Sequence, residues 1–213
     1  MDVDYYTAKA GVASINNEDD AAVSAQHCIT DLSSNGALNL YQGFLVSCYS
    51  QHPLVPALRR ALVERKKHNS VVTGIFEASV AACLQSIDIG EKFGIVSTGK
   101  QWEVIMDDAV ANLLGSNASS RYAGTETTAL NAVELHSTAK SEVDKRMKDA
   151  TKRLLAKGAR AICLGCAGMA GMDQTVREAC VEHLGEEDGS RISIVDGVIS
   201  GFIHLDGTLR AIS

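Results

Sequence analysis

The chain contains GFLVSC at residues 43–48 and AICLGC at residues 161–166, two apolar runs that each end in a cysteine. Small or polar residues follow each run, and after them comes a helical pattern of apolar residues. The next apolar runs, VVTG and IVDG, end at Gly74 and Gly197 in matching places. A strand–Cys–helix–strand–Gly–helix unit therefore occurs twice. This repetition predicts two similar halves that each contribute one thiol to a shared site.

Short apolar runs alternate with helical periods along the rest of the chain. Continuous apolar runs suit strands that are covered on both faces. The segments between them carry apolar residues at helical spacing, for example Val143, Met147, Ala150 and Leu154. This alternation predicts an α/β protein with parallel sheets. The predicted strands are 3–7, 43–48, 70–73, 92–97, 160–165 and 191–195.

The segment IDIGEKF separates the two repeats and indicates a domain boundary after residue 90. The first half is predicted to comprise residues 1–90 together with 198–213, and the second half residues 91–197. The segment 115–128, GSNASSRYAGTETT, is rich in Ser, Thr and Gly and is interpreted as a surface loop.

The composition excludes several functional classes. A chain of 213 residues with 46% apolar and 22% charged residues is typical of a soluble globular protein with a substantial core. The net charge of −6 and the lack of a basic run argue against nucleic-acid binding. No apolar run approaches the roughly 20 residues that span a bilayer. No signal peptide is recognisable, so a cytoplasmic location with reduced cysteines is expected.

Cys48 and Cys166 lie at the carboxyl ends of predicted parallel strands, where ligands bind in such sheets. A following helix N-terminus favours a thiolate, and so do the amides around Gly165, Ala167 and Gly168. A thiol whose pKa falls below its ordinary value of about 8.5 would be a usable base at neutral pH. A single cysteine is more simply a small buried hydrophobe, but the symmetric pairing argues against that interpretation here.

Other polar residues near these motifs have two interpretations each. Ser97 and Thr98 end a predicted strand, where they can bind a substrate carbonyl or begin a turn and helix. Ser50 can likewise cap a helix or contact substrate. His52 could tune the nearby thiol, although a solvated loop histidine is the preferred interpretation. Glu77 is interpreted as a first-turn acid that matches the helix dipole.

The sequence gives little support for a redox, metal or cofactor site. Cys163 and Cys166 have CxxC spacing, but Cys163 lies inside the strand rather than at a helix start, so a dithiol redox role is disfavoured. A zinc site would need four ligands or a second CxxC pair, and neither occurs. No phosphate-binding glycine loop and no Schiff-base lysine context is present. No metal and no cofactor is therefore expected.

Five stretches carry a resemblance to a known family: SCYSQHPL (47–54), GIFEASVAACL (74–84), KFGIVSTGKQW (92–102), LGCAGMAGM (164–172) and IVDGV (194–198). They resemble the Asp/Glu racemase superfamily, and within it the hydantoin racemase branch. The resemblance implies two pseudo-symmetric α/β halves with the active site in the cleft between them. It also implies a cofactor-independent racemase in which Cys48 and Cys166 act as opposed acid and base. The substrate-binding residues that it implies are Tyr49, Ser50, Ser97, Thr98, Gly165, Ala167 and Gly168.

The expected partner is a small-molecule substrate, with neither nucleic acid nor membrane, and homo-oligomer formation is left open. A 5-substituted hydantoin or allantoin is favoured, because no Arg or Lys lies beside either cysteine motif to bind a second carboxylate. An amino-acid racemase for aspartate or glutamate is the first alternative. The second is a truncated, non-catalytic scaffold protein, because family members usually open with a further strand and an INPN-like turn before the segment that corresponds to VDYYT.

Overall fold

A computed structural model describes residues 2–116 and 119–212 of the chain. Within these ranges the chain has an α/β fold with two parallel sheets, one of two strands and one of four in the order β4-β3-β5-β6. The fold class predicted from the sequence is confirmed. The strands are β1 (Gly43–Val46) and β2 (Val71–Gly74) in the first sheet, and β3 (Lys92–Ser97), β4 (Tyr122–Thr127), β5 (Ala159–Leu164) and β6 (Ser193–Asp196) in the second.

The helices begin and end at residues that satisfy free backbone groups. The Asn17 side chain accepts the N–H of Asp20 at the start of the first helix, at 2.8 Å. Gly115, with φ of 67°, adopts a left-handed conformation directly after the fifth helix and ends it. The helices are α1 (Glu18–Ser34), α2 (Ala37–Leu40), α3 (Leu54–Glu64), α4 (Ile75–Gln85), α5 (Trp102–Leu114), α6 (Glu134–Ser137), α7 (Lys140–Ala156), α8 (Asp173–Leu184), α9 (Glu186–Arg191) and α10 (Gly197–Ala211), with a short 3-10 helix at Ala167–Met169. Among these described helices, none combines the length and the apolar composition that a membrane span needs.

The parallel registers bring the carboxyl ends of the strands together. In the second sheet Leu164 of β5 is opposite Val96 of β3 and Asp196 of β6. On the other side of β3, Ser97 is opposite Thr127 of β4. The loops that follow these strands therefore start side by side at one edge of the sheet.

One hydrophobic core joins the two sheets. Helix α4 packs against β2 and also against β3, β5 and β6. Phe76 and Cys83 of α4 are fully buried in the same cluster as Phe93 and Cys163 of the second sheet. Helix α10 packs on α4, β1 and β2, so the C-terminal helix lies with the predicted first half. The division after residues 90 and 197 stays a prediction.

Residues 3–7, predicted as a strand, form no β pairing, and that prediction was wrong. The segment is held instead through side chains: Tyr6 donates to Asp31 at 2.9 Å, and Asp4 accepts from Tyr41 at 2.6 Å. A strand needs a neighbour for its backbone N–H and C=O groups. No strand within the described residues lies beside this segment, so the β propensity of VDYYT is not realised.

The predicted surface loop 115–128 contains strand β4, so this prediction was also wrong over residues 122–127. Thr125 and Thr127 are buried, and β4 pairs along the edge of β3. The Ser, Thr and Gly content hid the strand, although threonine is β-branched and suits a pleated sheet. Residues 117 and 118 of the predicted loop lie outside the described residues.

Candidate active site

Cys48 lies in the loop between the carboxyl end of β1 and helix α3. Its Sγ is 3.6 Å from the Ser50 Oγ, within hydrogen-bonding distance for sulfur. Two short backbone hydrogen bonds tighten the loop, from the Ser50 N–H to the Cys48 carbonyl at 3.0 Å and from the His52 N–H to the Ser50 carbonyl at 2.8 Å. Cys48 is half-buried and Ser50 is buried. A small, closely folded loop therefore presents the first thiol.

Cys166 occupies the equivalent place after β5, at the start of the short 3-10 helix. The backbone before it is held on two sides. The Gly165 N–H donates to the Val96 carbonyl at 2.7 Å, and the Ser97 hydroxyl donates to the Gly165 carbonyl at 3.0 Å. Cys166 is half-buried, as is Gly168. The Ser97 side chain thus supports the strand end that carries the second thiol.

Burial raises the pKa of both thiols. For Cys48 the hydrogen bond to Ser50 opposes this increase, and the negative charge of Cys166 adds to it. For Cys166 the backbone N–H groups of Gly168 and Met169 oppose the effect of burial without cancelling it. For both thiols, desolvation exceeds the opposing effect of the hydrogen bonds, so the amides that follow Cys166 do not bring its pKa below the ordinary value. The influence of Cys166 on Cys48 indicates that the sulfurs lie within electrostatic range of one another.

The edge of the second sheet adds threonine hydroxyls beside the Cys166 loop. Thr98 follows β3 and is buried. Thr128 follows β4. Its N–H donates to the Ser97 carbonyl at 3.0 Å, and its hydroxyl donates to the Thr98 carbonyl at 3.4 Å. Because β3 and β5 are neighbours, Thr98 places a hydroxyl at the same sheet edge as the Cys166 loop.

Tyr49 turns its side chain away from this edge and into the core. Its hydroxyl is 2.9 Å from the Cys163 Sγ, and the Ser79 hydroxyl donates to it at 3.0 Å. The residue is only 6% exposed. A substrate contact of Tyr49, as the sequence predicted, can therefore come only from its backbone.

Comparison with known proteins is consistent with this geometry. The profile of the Asp/Glu/hydantoin racemase family matches residues 1–202. This chain belongs to that family. It is 36% identical over 168 residues to the uncharacterized protein C1F7.10 of Schizosaccharomyces pombe, a match that covers 78% of this chain and 63% of that protein. The matched region thus spans less than two thirds of that relative's length.

Two solved structures of similar fold are allantoin racemases. The one from Klebsiella pneumoniae has a TM-score of 0.73 and 22% identity, and the match covers 95% of this chain and 73% of that protein. The one from Pseudomonas fluorescens has a TM-score of 0.72 and 19% identity, and the match covers 97% of this chain and 77% of that protein. At these identities the likeness shows a shared fold.

Two polar residues of this racemase-family chain contact backbone groups at the starts of helices α3 and α4. His52 is buried, not solvated as the sequence indicated. Its Nδ1 accepts the Leu54 N–H at 3.2 Å, so the proton is on Nε2, and burial lowers its pKa. Glu77 is folded back toward Gly74 at the start of α4, as in a capping box. Burial raises the Glu77 pKa, and the N–H groups of Glu77 and Gly74 oppose this increase.

His136, in α6, borders the Cys166 side of the candidate site, and the sequence did not reveal it. A Cβ built on Gly168 would lie 3.4 Å from the His136 Nε2 and 3.6 Å from the Cys166 Sγ. The imidazole and the sulfur therefore border the same space. His136 is exposed, and no hydrogen bond of its side chain is found among the described residues. No motif marks it, because only the path of the chain after β4 brings it beside Cys166.

Metal-ligating side chains do not gather at this site. Across residues 2–116 and 119–212, no group of three His, Cys, Asp or Glu side chains is arranged to hold a metal ion.

Proposed function

We propose that this chain is a cofactor-independent racemase that inverts a carbon next to a carbonyl by proton transfer between Cys48 and Cys166. The observation that carries the proposal is the pair of half-buried thiols, each beyond the carboxyl end of a parallel strand and each within electrostatic range of the other. Membership of the Asp/Glu/hydantoin racemase family supports it.

The preferred substrate is a 5-substituted hydantoin or allantoin. In this ring the C5 hydrogen lies between a carbonyl and a nitrogen, and its removal leaves an enolate-like anion. The polar side chains named at the site, Ser50, Thr98 and His136, include no Arg or Lys. A dicarboxylate amino acid would need cationic partners in such a site. The two allantoin racemases of similar fold make this ring the first substrate to test.

In the proposed mechanism Cys166 is the thiol that ionises and Cys48 the thiol that stays protonated. The Gly168 and Met169 N–H groups oppose the effect of burial on Cys166, whereas Cys48 has one hydroxyl partner, Ser50. The Cys166 thiolate removes the C5 proton, and the Cys48 thiol returns a proton to the opposite face. The pair holds one proton before and after the reaction, so the opposite enantiomer uses the reverse arrangement.

Neighbouring groups hold the substrate in this proposal. The Ala167 N–H, in the loop after β5, is the donor for the oxygen that becomes negative when the C5 proton leaves. The Gly165 N–H holds the strand end through its bond to the Val96 carbonyl, and the Gly168 N–H stabilises the Cys166 thiolate. The Thr98 hydroxyl binds a ring carbonyl or nitrogen from the adjacent strand. The Ser97 hydroxyl acts indirectly, because it is already bonded to the Gly165 carbonyl.

Polarimetry of the purified protein tests the proposed function. The panel contains single enantiomers of 5-substituted hydantoins, allantoin, aspartate and glutamate, each corrected for its spontaneous racemisation in buffer. We expect loss of optical rotation for the ring compounds, with entry of deuterium at C5 in deuterated solvent. Racemisation of aspartate or glutamate alone would favour the amino-acid alternative, and an inert protein would favour the non-catalytic scaffold.

The rate is expected to increase with pH. The base is a thiolate whose pKa is raised by burial, so its ionised fraction grows about tenfold per pH unit below that pKa. The rate falls again only where the second thiol also ionises. Values of kcat/KM between pH 6 and pH 9, corrected for the buffer reaction, check this prediction. A profile that is flat from pH 6 to pH 8 would contradict it.

His136 is expected to contact a polar C5 substituent. The ureido group of allantoin can accept or donate a hydrogen bond. The His136→Ala variant loses that bond, so its KM for allantoin should rise by about tenfold. KM for 5-benzylhydantoin should change little. His183→Ala, an exposed histidine on α8, is the matched control. Equal KM values for allantoin in His136→Ala and the wild type would contradict the assignment.

A further inference from the structure

Tyr49 makes a buried polar contact between the two halves of the molecule. Its hydroxyl is 2.9 Å from the Cys163 Sγ on β5 and 3.0 Å from the Ser79 Oγ on α4. Cys163 and Ser79 are fully buried, and Tyr49 is nearly so. Burial raises the pKa of Tyr49 well above its ordinary value, so the hydroxyl stays neutral and can donate. Water does not compete for these hydrogen bonds, which makes them more directional than surface contacts.

The ring of Tyr49 is held as firmly as its hydroxyl. It meets Phe76 edge to face, with ring centroids 5.7 Å apart and planes at 82°. On another side it lies over Gly197, where an added Cβ would be 3.1 Å from one ring carbon and 3.2 Å from the next. Elements α4, β5 and α10 thus fix one side chain.

The position of Tyr49 along the chain links this contact to the site. Tyr49 directly follows Cys48, and Cys163 is on β5, three residues before Cys166. The hydrogen bond between Tyr49 and Cys163 therefore ties together the two segments that carry the thiols. A movement of the Cys48 segment relative to β5 would distort this bond.

We propose that Tyr49 is a positioning residue that sets the separation of the Cys48 and Cys166 thiols through its bond to Cys163. The inference rests on the proposed racemase function. Transfer of a proton to one face of a small ring and from the other requires both sulfurs at their working distances. A displacement of about 1 Å can cost on the order of 10²-fold in rate.

Tyr49→Phe tests the proposal, because it keeps the ring and removes only the hydroxyl. We expect kcat to fall about 10- to 100-fold with KM nearly unchanged. In deuterated solvent the wild type should incorporate deuterium mainly into the product enantiomer. Tyr49→Phe should incorporate a larger share into the recovered starting enantiomer, because the carbanion is reprotonated more often on the face it came from. A loss of stability alone would not change that partition.

Matched variants separate positioning from general damage. Tyr122→Phe removes the hydroxyl of a second tyrosine, which is half-buried and bonded to Asp107 and Thr125, and it should keep the wild-type partition. Cys163→Ala should share the defect of Tyr49→Phe. Cys163→Ser keeps a hydrogen-bonding partner for the Tyr49 hydroxyl and should restore most of the rate.

The outcomes distinguish this inference from the function on which it rests. Wild-type kcat and deuterium partition in Tyr49→Phe would overturn the positioning role and leave the racemase proposal standing. A wild-type protein that neither racemises nor exchanges any compound of the panel would overturn both.

Discussion

Cys48→Ser and Cys166→Ser are each expected to lower the racemisation rate by about 10³-fold or more, within the range that a general acid or base contributes. Serine has nearly the shape of cysteine, but its hydroxyl does not ionise in the range where a thiol does. Each substitution therefore removes one proton carrier while leaving the loop that holds it. Polarimetry gives the rate, and thermal unfolding followed by circular dichroism checks that the fold is retained.

Deuterium exchange makes this prediction specific to each thiol. Cys48→Ser keeps the Cys166 base, so it should still exchange the C5 proton of one enantiomer without inverting it. Cys166→Ser should exchange the other enantiomer. Cys28→Ala, at a buried cysteine on α1, serves as the control and should racemise at the wild-type rate. Near-normal racemisation by either serine variant would exclude the two-base mechanism.

Gly165→Ala is expected to destabilise the protein by about 3 kcal/mol, at the upper end for an overpacked site, and to reduce kcat as well. An added Cβ would lie 2.5 Å from the Ile95 Cγ2 and 2.8 Å from the Val96 carbonyl oxygen. The backbone cannot withdraw easily, because the Gly165 N–H donates to that same carbonyl at 2.7 Å. The displaced strand end carries Cys166, which links the loss of stability to the loss of rate.

Urea unfolding of Gly165→Ala and Gly207→Ala measures this effect against a control. Gly207 lies inside α10 with no heavy atom within 4 Å of an added Cβ. Alanine there should stabilise the protein by about 0.5–1 kcal/mol through its higher helix propensity. If Gly165→Ala unfolds at the wild-type urea concentration, β3 and β5 are not as closely packed at this point as the structure indicates.

Local patterns in the sequence were sufficient to predict most of the helices and strands. The apolar runs at the two cysteine motifs predicted β1 and β5, because a strand covered on both faces needs continuous apolar residues. Apolar residues recur at helical spacing from Val143 to Leu154, and this local pattern predicted α7. The family motifs were recognisable for the same reason, since the residues around each thiol are contiguous.

Other features depend on segments that are distant along the chain. VDYYT has strand propensity but no partner strand among the described residues, whereas the polar stretch 122–127 becomes β4 because β3 offers it an edge. His136 reaches the neighbourhood of Cys166 only through the path of the chain after β4. A local sequence pattern cannot predict these outcomes, because they depend on contacts between separate segments of the chain.

The amino-acid order was therefore enough to identify the α/β class and the family and to single out the two thiols as candidates, since each of these depends on short contiguous patterns. Tertiary packing decided the rest: the inward turn of Tyr49, the burial of His52, and the raised pKa of both cysteines. The physical reason is that desolvation and hydrogen bonding depend on which atoms surround a group in space, and those neighbours come from distant positions in the chain.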